Sequence, residues 1–320
     1  MRILITGGAG FIGSHLTDRL ISDGHDVTVL DNLETGRIEN LAEASTSGRL
    51  TFIEGSVLDA EMVEKLAAET DFIYHLAAAV GVFNILERPL ASLMTNLRGT
   101  EIVLDAALKY SRPILVASSS EVYGKNTSDS LHEDDNRILG SPLMIRWSYS
   151  QAKAIDETLA YAYWEEKKLP TRIVRFFNTV GPRQLGAYGM VVPRFVAAAL
   201  DNEEITIYGD GTQTRCFGHV ADIVDALISV ANSEKTVGTV VNIGNDEEIS
   251  INDLAKKIIE MTDSKSKIVY LSYADAYKSG FEDMERRVPN IQRIKKLTGW
   301  TPTRNLETII RDVADHLRSN

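Results

Sequence analysis

Through the first half of the chain, short apolar runs alternate with stretches whose apolar positions recur every three to four residues. Ile3-Leu4-Ile5, Val27-Thr28-Val29-Leu30, Leu50-Thr51-Phe52-Ile53, Phe72-Ile73-Tyr74-His75 and Pro113-Ile114-Leu115-Val116-Ala117 are runs of the first kind. Runs this short and this continuously apolar predict strands covered on both faces, the habit of a parallel sheet. Ser14 to Leu20 has helical spacing, and another helical segment lies between the third and fourth runs. The alternation predicts an α/β fold with a doubly wound parallel sheet, and right-handed crossovers then bring the strand ends to one side. A later strand near Val240-Val241-Asn242 is expected to rejoin the sheet.

The first strand runs into Gly7-Gly8-Ala9-Gly10-Phe11-Ile12-Gly13 and then the first helix. Glycines here let the backbone turn sharply, approach a pyrophosphate and pack helix on strand, with the helix N-terminus facing the negative charge. The second strand ends at Asp31, near the distance of about 20 residues expected for a carboxylate that bonds ribose hydroxyls. An acid there repels a 2′-phosphate, so the pattern points to a Rossmann domain holding NAD rather than NADP. The glycine spacing satisfies both Gly-x-Gly-x-x-Gly and Gly-x-x-Gly-x-x-Gly and does not separate dehydrogenase families. His75, at the end of the fourth strand, reads as a packed, hydrogen-bonded histidine rather than a base.

Beyond the fifth apolar run stands Ser118-Ser119-Ser120-Glu121-Val122-Tyr123-Gly124. Ligands in open α/β sheets collect past such strand ends, so these hydroxyls and the carboxylate sit where a substrate would; the plain alternative is a serine-rich cap for the next helix. Tyr149 and Lys153, four residues apart, share one face of a helix. A free tyrosine titrates near 10, and lowering that by ~3 units takes about 4 kcal/mol of preferential anion stabilisation. A nearby lysine and a positive nicotinamide ring are the expected sources.

The 320 residues exceed a single-domain length, and 44% hydrophobic with 25% charged residues suits a globular protein with a sizeable core. A net charge of −11 argues against nucleic-acid or anionic-membrane partners, and no apolar run approaches the ~20 residues of a membrane span. Cys216 is the only cysteine, which excludes an internal disulfide and a cysteine-based zinc site. A cytoplasmic enzyme without metal is the expectation. Arg183, Arg194, Arg215 and Arg287 are expected to converge on a diphosphate despite the negative total.

The glycine turn, the Ser120 segment and Tyr149-x-x-x-Lys153 together resemble an extended short-chain dehydrogenase/reductase, the group that acts on nucleotide sugars. The resemblance covers essentially the whole chain. It continues through Arg175-Phe176-Phe177-Asn178-Thr179-Val180-Gly181-Pro182-Arg183, Val192-Pro193-Arg194-Phe195, Tyr208-Gly209-Asp210-Gly211, Val241-Asn242-Ile243-Gly244 and Leu297-Thr298-Gly299-Trp300-Thr301-Pro302. It implies that Ser119 or Ser120 bonds the sugar C4 oxygen, that Tyr149 takes its proton and that Lys153 holds the nicotinamide ribose. NAD is implied at Gly7, Gly10, Phe11, Ile12 and Gly13, at Asp31 and Asn32, at Ser56 and Val57, at Leu76, Ala77 and Ala78, and at Asn96. Ser56 departs from the acid that many relatives carry after the corresponding glycine. Asn178, Val192, Arg194, Arg215 and Arg287 are implied for a UDP-sugar. Residues 1–177, with about 215–247, are expected to form the NAD-binding domain; 178–214 and 248–320 are expected to form the smaller nucleotide-sugar lobe. Helices around Leu93 to Tyr110 and Tyr149 to Glu166 resemble those of the family's homodimer interface.

Within that group, Ser119-Ser120-Glu121-Val122-Tyr123-Gly124 is most similar to UDP-glucuronate decarboxylases, which form UDP-xylose or its 4-keto intermediate. Arg146-Trp147-Ser148-Tyr149-Ser150, Arg215-Cys216-Phe217 and Gly280 to Pro289 resemble the decarboxylase domain of the bacterial aminoarabinose pathway, which has a functional arginine at the Arg287 position. The Thr-Asp-Glu of 4,6-dehydratases is absent. Ala79-Val80-Gly81-Val82-Phe83-Asn84 departs from the more polar eukaryotic decarboxylase pattern. The alternative is a UDP-sugar 4-epimerase, interconverting glucose and galactose or glucuronate and galacturonate; a non-catalytic NAD-binding regulator is a third reading. Glu121 poses a physical problem in the decarboxylase, because an ionised carboxylate would repel that of the substrate.

Overall fold

The computed structural model describes all residues except 81–87, 187–189, 273–283, 285 and 320, with Arg146 described in its backbone alone. Gly81 to Asn84, Gly280 to Asp283 and Glu285, all used in the resemblance above, lie outside the described residues.

Seven strands build one wholly parallel sheet: β1 (Arg2–Thr6), β2 (Asp26–Asp31), β3 (Leu50–Glu54), β4 (Phe72–His75), β5 (Ile114–Ser119), β6 (Thr171–Phe176) and, after four short strands elsewhere, β11 (Val240–Ile243). Their order is β11-β6-β5-β4-β1-β2-β3. The chain winds outward from β1 to β3, then crosses back to β4 and winds the other way. β1 and β4 therefore flank the switch point, where strand ends part and a crevice opens.

Leu4, Ile5, Ile73, Leu115 and Val116 are fully buried, as expected of strands covered on both faces. One side is covered by the helices Phe11–Ser22 and Val220–Asn232, which supply Leu16, Leu20, Ile223 and Leu227 to its core. The helices Ala60–Ala68, Pro89–Lys109 and Ser148–Lys167 cover the other. Asp59 starts the first of these three by accepting a hydrogen bond from the Met62 N–H. The other two pack on each other, and Gly99 of Pro89–Lys109 faces Val57, whose Cγ2 would stand 2.8 Å from a Cβ there.

The smaller lobe has a core of its own, in which Val192, Phe195 and Val196 of the helix Val191–Leu200 meet Leu254 and Ile258 of Ile251–Met261 and Ile309, Ile310 and Val313 of Leu306–Ser319. Among the described residues, the remaining six short strands pair in twos: β7 (Thr179–Val180) with β10 (Gly218–His219), β8 (Ile205–Tyr208) with β13 (Ile268–Leu271), and β9 (Thr214–Cys216) with β12 (Glu248–Ser250), the last antiparallel. The stretch 291–300, expected with this lobe, packs elsewhere: Ile291, Ile294 and Trp300 belong to the core around Ile223 and Leu227. Trp300 is held there by its indole N–H, which donates to the Asp222 carbonyl at 3.1 Å.

Candidate active site

One cavity of about 640 Å³ runs from the switch point across the end of β5 to the smaller lobe. At its first end lies the glycine turn. Gly7 has φ +75°, and a Cβ there would stand 2.8 Å from the Ala77 N at the end of β4. A Cβ on Gly13 would stand 2.2 Å from the Gly7 carbonyl oxygen. Only glycine allows this closeness. The helix Phe11–Ser22 begins here with no side-chain cap and no acid in its first turn, leaving its N–H groups for an outside anion. Asp31 is buried and accepts from the Ala9 and Leu33 N–H groups, each at 2.9 Å, so it braces the turn while lining the cavity. A cradle without side chains, an uncapped helix start and a fixed carboxylate fit a dinucleotide.

Gly7, Gly10, Phe11, Ile12, Gly13, Asn32, Ser56, Val57, Leu76, Ala77 and Ala78 all line this end. Asn96 does not. It is buried behind the wall, where its amide accepts from the Ala79 N–H at 2.8 Å and donates to the Ala79 carbonyl at 3.3 Å, so both polar ends are engaged in shaping the backbone.

Ser119 ends β5 and caps the short 3₁₀ turn Ser120–Tyr123, accepting from the Glu121 N–H at 3.2 Å. The Ser150 hydroxyl donates to the Glu121 carbonyl at 2.6 Å, which ties this turn to the start of the helix carrying Tyr149 and Lys153. Ser119, Ser120, Glu121, Tyr149 and Lys153 all face the cavity. Burial pushes the Tyr149 phenol well above its ordinary range, and the charges of Glu121 and Asp156 push the same way, while a hydrogen bond with Ser119 opposes them. Lys153 is almost wholly buried, and its ammonium donates to the Ala117 carbonyl at 2.9 Å and to Asp156 Oδ2 at 3.1 Å. A third N–H is left for a ligand. The protein on its own thus holds the phenol protonated, with the expected lysine charge met by a carboxylate.

A buried network fixes the serine segment from behind. Glu157 receives the Ser118 hydroxyl at 2.5 Å and the Arg175 guanidinium at 2.8 and 2.7 Å; Arg175 also donates to the Tyr123 hydroxyl, which donates to Asn242 Oδ1, both at 2.8 Å. Asp156 and Glu157 escaped sequence reasoning. Their signal was present, since Asp156 lies three residues after Lys153 and Glu157 four, on the same helix face.

Glu121 is met by Arg287, 2.7 Å from its Oε1, with both side chains largely buried. Arg287 also reaches Ser120 Oγ at 3.5 Å, and its Nε has no partner. Asn178, Val192, Arg194 and Arg215 line the far end with Arg183. Asn178 donates to the Cys216 carbonyl at 3.0 Å, and Arg194 lies 4.3 Å over the Tyr208 ring. Arg183 is already paired with Asp18 at 2.6 Å, which takes away much of its charge. His75 sits under the site, its ring nitrogens 2.8 Å from Thr6 Oγ1 and 3.1 Å from Thr100 Oγ1. Among the described residues no group of three or more histidine, cysteine, aspartate or glutamate side chains could hold a metal ion.

The sequence profile of the GDP-mannose 4,6-dehydratase family matches residues 4–313. The chain is 41% identical over 318 residues to a UDP-N-acetyl-α-D-glucosaminuronate decarboxylase of Bacillus cytotoxicus, covering 99% of this chain and 98% of that protein. It is 40% identical over 319 residues to UDP-glucuronic acid decarboxylase 1 of Xenopus tropicalis, covering 99% of this chain and 72% of the relative. Its structure is similar, at a TM-score of 0.89 and 28% identity over 100% of this chain and 99% of the other, to the UDP-glucuronic acid 4-epimerase of Bacillus cereus in complex with UDP-glucuronic acid and NAD.

Proposed function

This chain belongs to the GDP-mannose 4,6-dehydratase family of extended short-chain dehydrogenase/reductases, and on that premise we propose that it is an NAD-dependent UDP-hexuronate decarboxylase. A UDP-glucuronate-type substrate passes through a transient 4-keto sugar, loses its C5 carboxylate as carbon dioxide and leaves as UDP-xylose or the 4-keto pentose. The observation that carries this reading is the buried Glu121–Arg287 pair beside Ser120.

The glycine turn and the uncapped helix N-terminus receive the cofactor diphosphate, Asp31 a ribose, and the spare N–H of Lys153 the nicotinamide ribose. NAD, when bound, would accept the C4 hydride and return it where UDP-xylose is the product; release of the 4-keto pentose would leave the cofactor reduced. Tyr149 takes the proton of the C4 hydroxyl, with Ser119 holding the same oxygen. Once C4 is a ketone, the C5 carboxylate is that of a β-keto acid: the C5–C6 bond breaks, its electron pair moves toward the C4 oxygen, and carbon dioxide departs. The hydroxyls of Ser119 and Tyr149 stabilise the resulting enolate oxygen, and C5 is then reprotonated. Arg287 supplies the positive charge that lets a substrate carboxylate approach Glu121, which removes the repulsion expected from sequence. Arg194, Arg215 and Asn178 would hold the UDP, a reading supported by their lining of the far end of the cavity.

A second reading, UDP-glucuronate 4-epimerase, draws on the likeness to the Bacillus cereus enzyme, since a 4-keto sugar that turns over and takes its hydride back needs the same Ser, Tyr and Lys set. Incubating the protein with UDP-glucuronate, UDP-N-acetylglucosaminuronate and UDP-glucose in turn, followed by NMR, separates the two. Carbon dioxide release from a uronate is expected; UDP-galacturonate without carbon dioxide would overturn the proposal. A Tyr149→Phe chain with undiminished turnover would remove the phenol from the mechanism.

The assembly proposed is a homodimer through the outer faces of Pro89–Lys109 and Ser148–Lys167, where Leu90, Ile155 and Tyr161 are exposed. The proposed setting is the cytoplasm, which accords with a free, buried Cys216; among the described residues no helix is long and apolar enough to cross a membrane.

A further inference from the structure

Asp156 stands behind Lys153, outside the residues that line the cavity, and its side chain is wholly buried. One oxygen lies 3.1 Å from the lysine ammonium; the other, Oδ1, has no hydrogen-bond partner. A buried carboxylate oxygen without a donor is costly, and a neutral side chain of similar size would pack in its place. The charge therefore calls for an explanation at this site. Among the described residues, the charges that act on the phenol come from Glu121 in the turn after β5 and Asp156 on its own helix; Arg287 is paired to Glu121, Lys153 to Asp156, and His75 from the end of β4 lies near Lys153. Glu157, one residue further along, is paired with Arg175. Burial raises the Asp156 pKa, and the Lys153 ammonium and then Thr100 from the helix Pro89–Lys109 work against it by favouring the ionised form.

We propose that Asp156 is a positioning residue for the catalytic pair: its carboxylate anchors the Lys153 ammonium and offsets its charge at the phenol, so that Lys153 alone does not make Tyr149 a base. An ammonium and a carboxylate 3.1 Å apart act on a third group as a dipole, whose field falls off much faster than that of a free cation. His75 adds no compensating charge, because burial, and then Lys153 itself, holds its pKa down to about 3. Asp156 thereby sets the pH at which the phenol can give up its proton, although it touches neither substrate nor cofactor.

The inference rests on Tyr149 as the base, and its test reads the phenol directly, so a failure of that assignment is seen separately. The full chain, saturated with added NAD, is titrated by near-ultraviolet tyrosinate absorbance, with Tyr149→Phe as the blank. In Asp156→Asn the Tyr149 phenol should ionise roughly one pH unit lower than in the wild type, the scale set by one nearby charge. The acid limb of kcat/KM should move with it, while Asp156→Glu keeps both in place. An unmoved titration in Asp156→Asn, or a move to higher pH, overturns the proposal. Asp156→Ser, which is also neutral, repeats the measurement should the asparagine variant not fold; failure of both to fold would make Asp156 a structural residue and refute the assignment.

Discussion

Replacing Glu121 by glutamine keeps the size and one acceptor oxygen but removes the charge that Arg287 faces. The two groups meet at 2.7 Å with side chains 15% and 9% exposed, so the pair is mostly shielded from water. Charges about 4 Å apart in such surroundings attract by about 4 kcal/mol gross, and a hydrogen bond to the retained oxygen recovers part of that. The variant should lose about 1–3 kcal/mol of stability, read by urea denaturation. Its effect on ligands runs the other way. On the proposed reading, Arg287 in the wild type would divide its charge between Glu121 and a substrate carboxylate; in the variant it would serve the substrate alone. If a third of the gross attraction becomes available, UDP-glucuronate gains about 1.4 kcal/mol, or tenfold, over UDP-glucose. Calorimetric titration of both ligands, in a Tyr149→Phe background to prevent turnover, measures that ratio. An unchanged ratio would refute the idea that Arg287 receives the carboxylate, whatever happens to stability.

Gly13→Ala would put a Cβ 2.2 Å from the Gly7 carbonyl oxygen, so the first helix must retreat by about 1 Å; NAD affinity should fall roughly a hundredfold with about 1–3 kcal/mol of stability, and full NAD content in the purified variant would contradict this. His75 is held neutral in the fold with a pKa near 3 against its ordinary 6.5, chiefly by burial. The unfolded chain therefore binds the extra proton below pH ~6.5, and stability falls as pH drops through that window toward 3. At pH ~5 the loss from this ring is about 2 kcal/mol. His75→Asn should weaken that dependence by the same amount in denaturation at pH ~7 and ~5, and identical slopes would exclude it.

The larger sheet was legible because its strands are apolar on both faces and its first turn must be glycine; sequence locates both without help from distant contacts. The smaller lobe was less so. Its two- to four-residue strands pair across long stretches, as Ile205–Tyr208 does with Ile268–Leu271, and carry no period of their own. The packing of Trp300 against the larger core is likewise a tertiary contact that no local pattern announces. At the site, Ser119, Tyr149 and Lys153 could be read from residue type and spacing. Asp156 was legible only in its spacing from Lys153; an acid among charged helix residues ordinarily faces water, and only packing shows that this one is buried.

Glu121 and Arg287 are 166 residues apart, whereas the glycine turn, Asp31 and the catalytic helix all lie before residue 170. During synthesis from the N-terminus, the dinucleotide cradle can assemble well before the arginine leaves the ribosome. A chain cut off shortly before Arg287 would still contain all seven strands of the main sheet, with its carboxylate facing a substrate acid unopposed. It would also lack Ile291, Ile294 and Trp300, so the core beneath the cradle would be incomplete as well. On the proposed chemistry, the segment that carries Arg287 thus closes the larger core and answers a substrate acid in one step of folding.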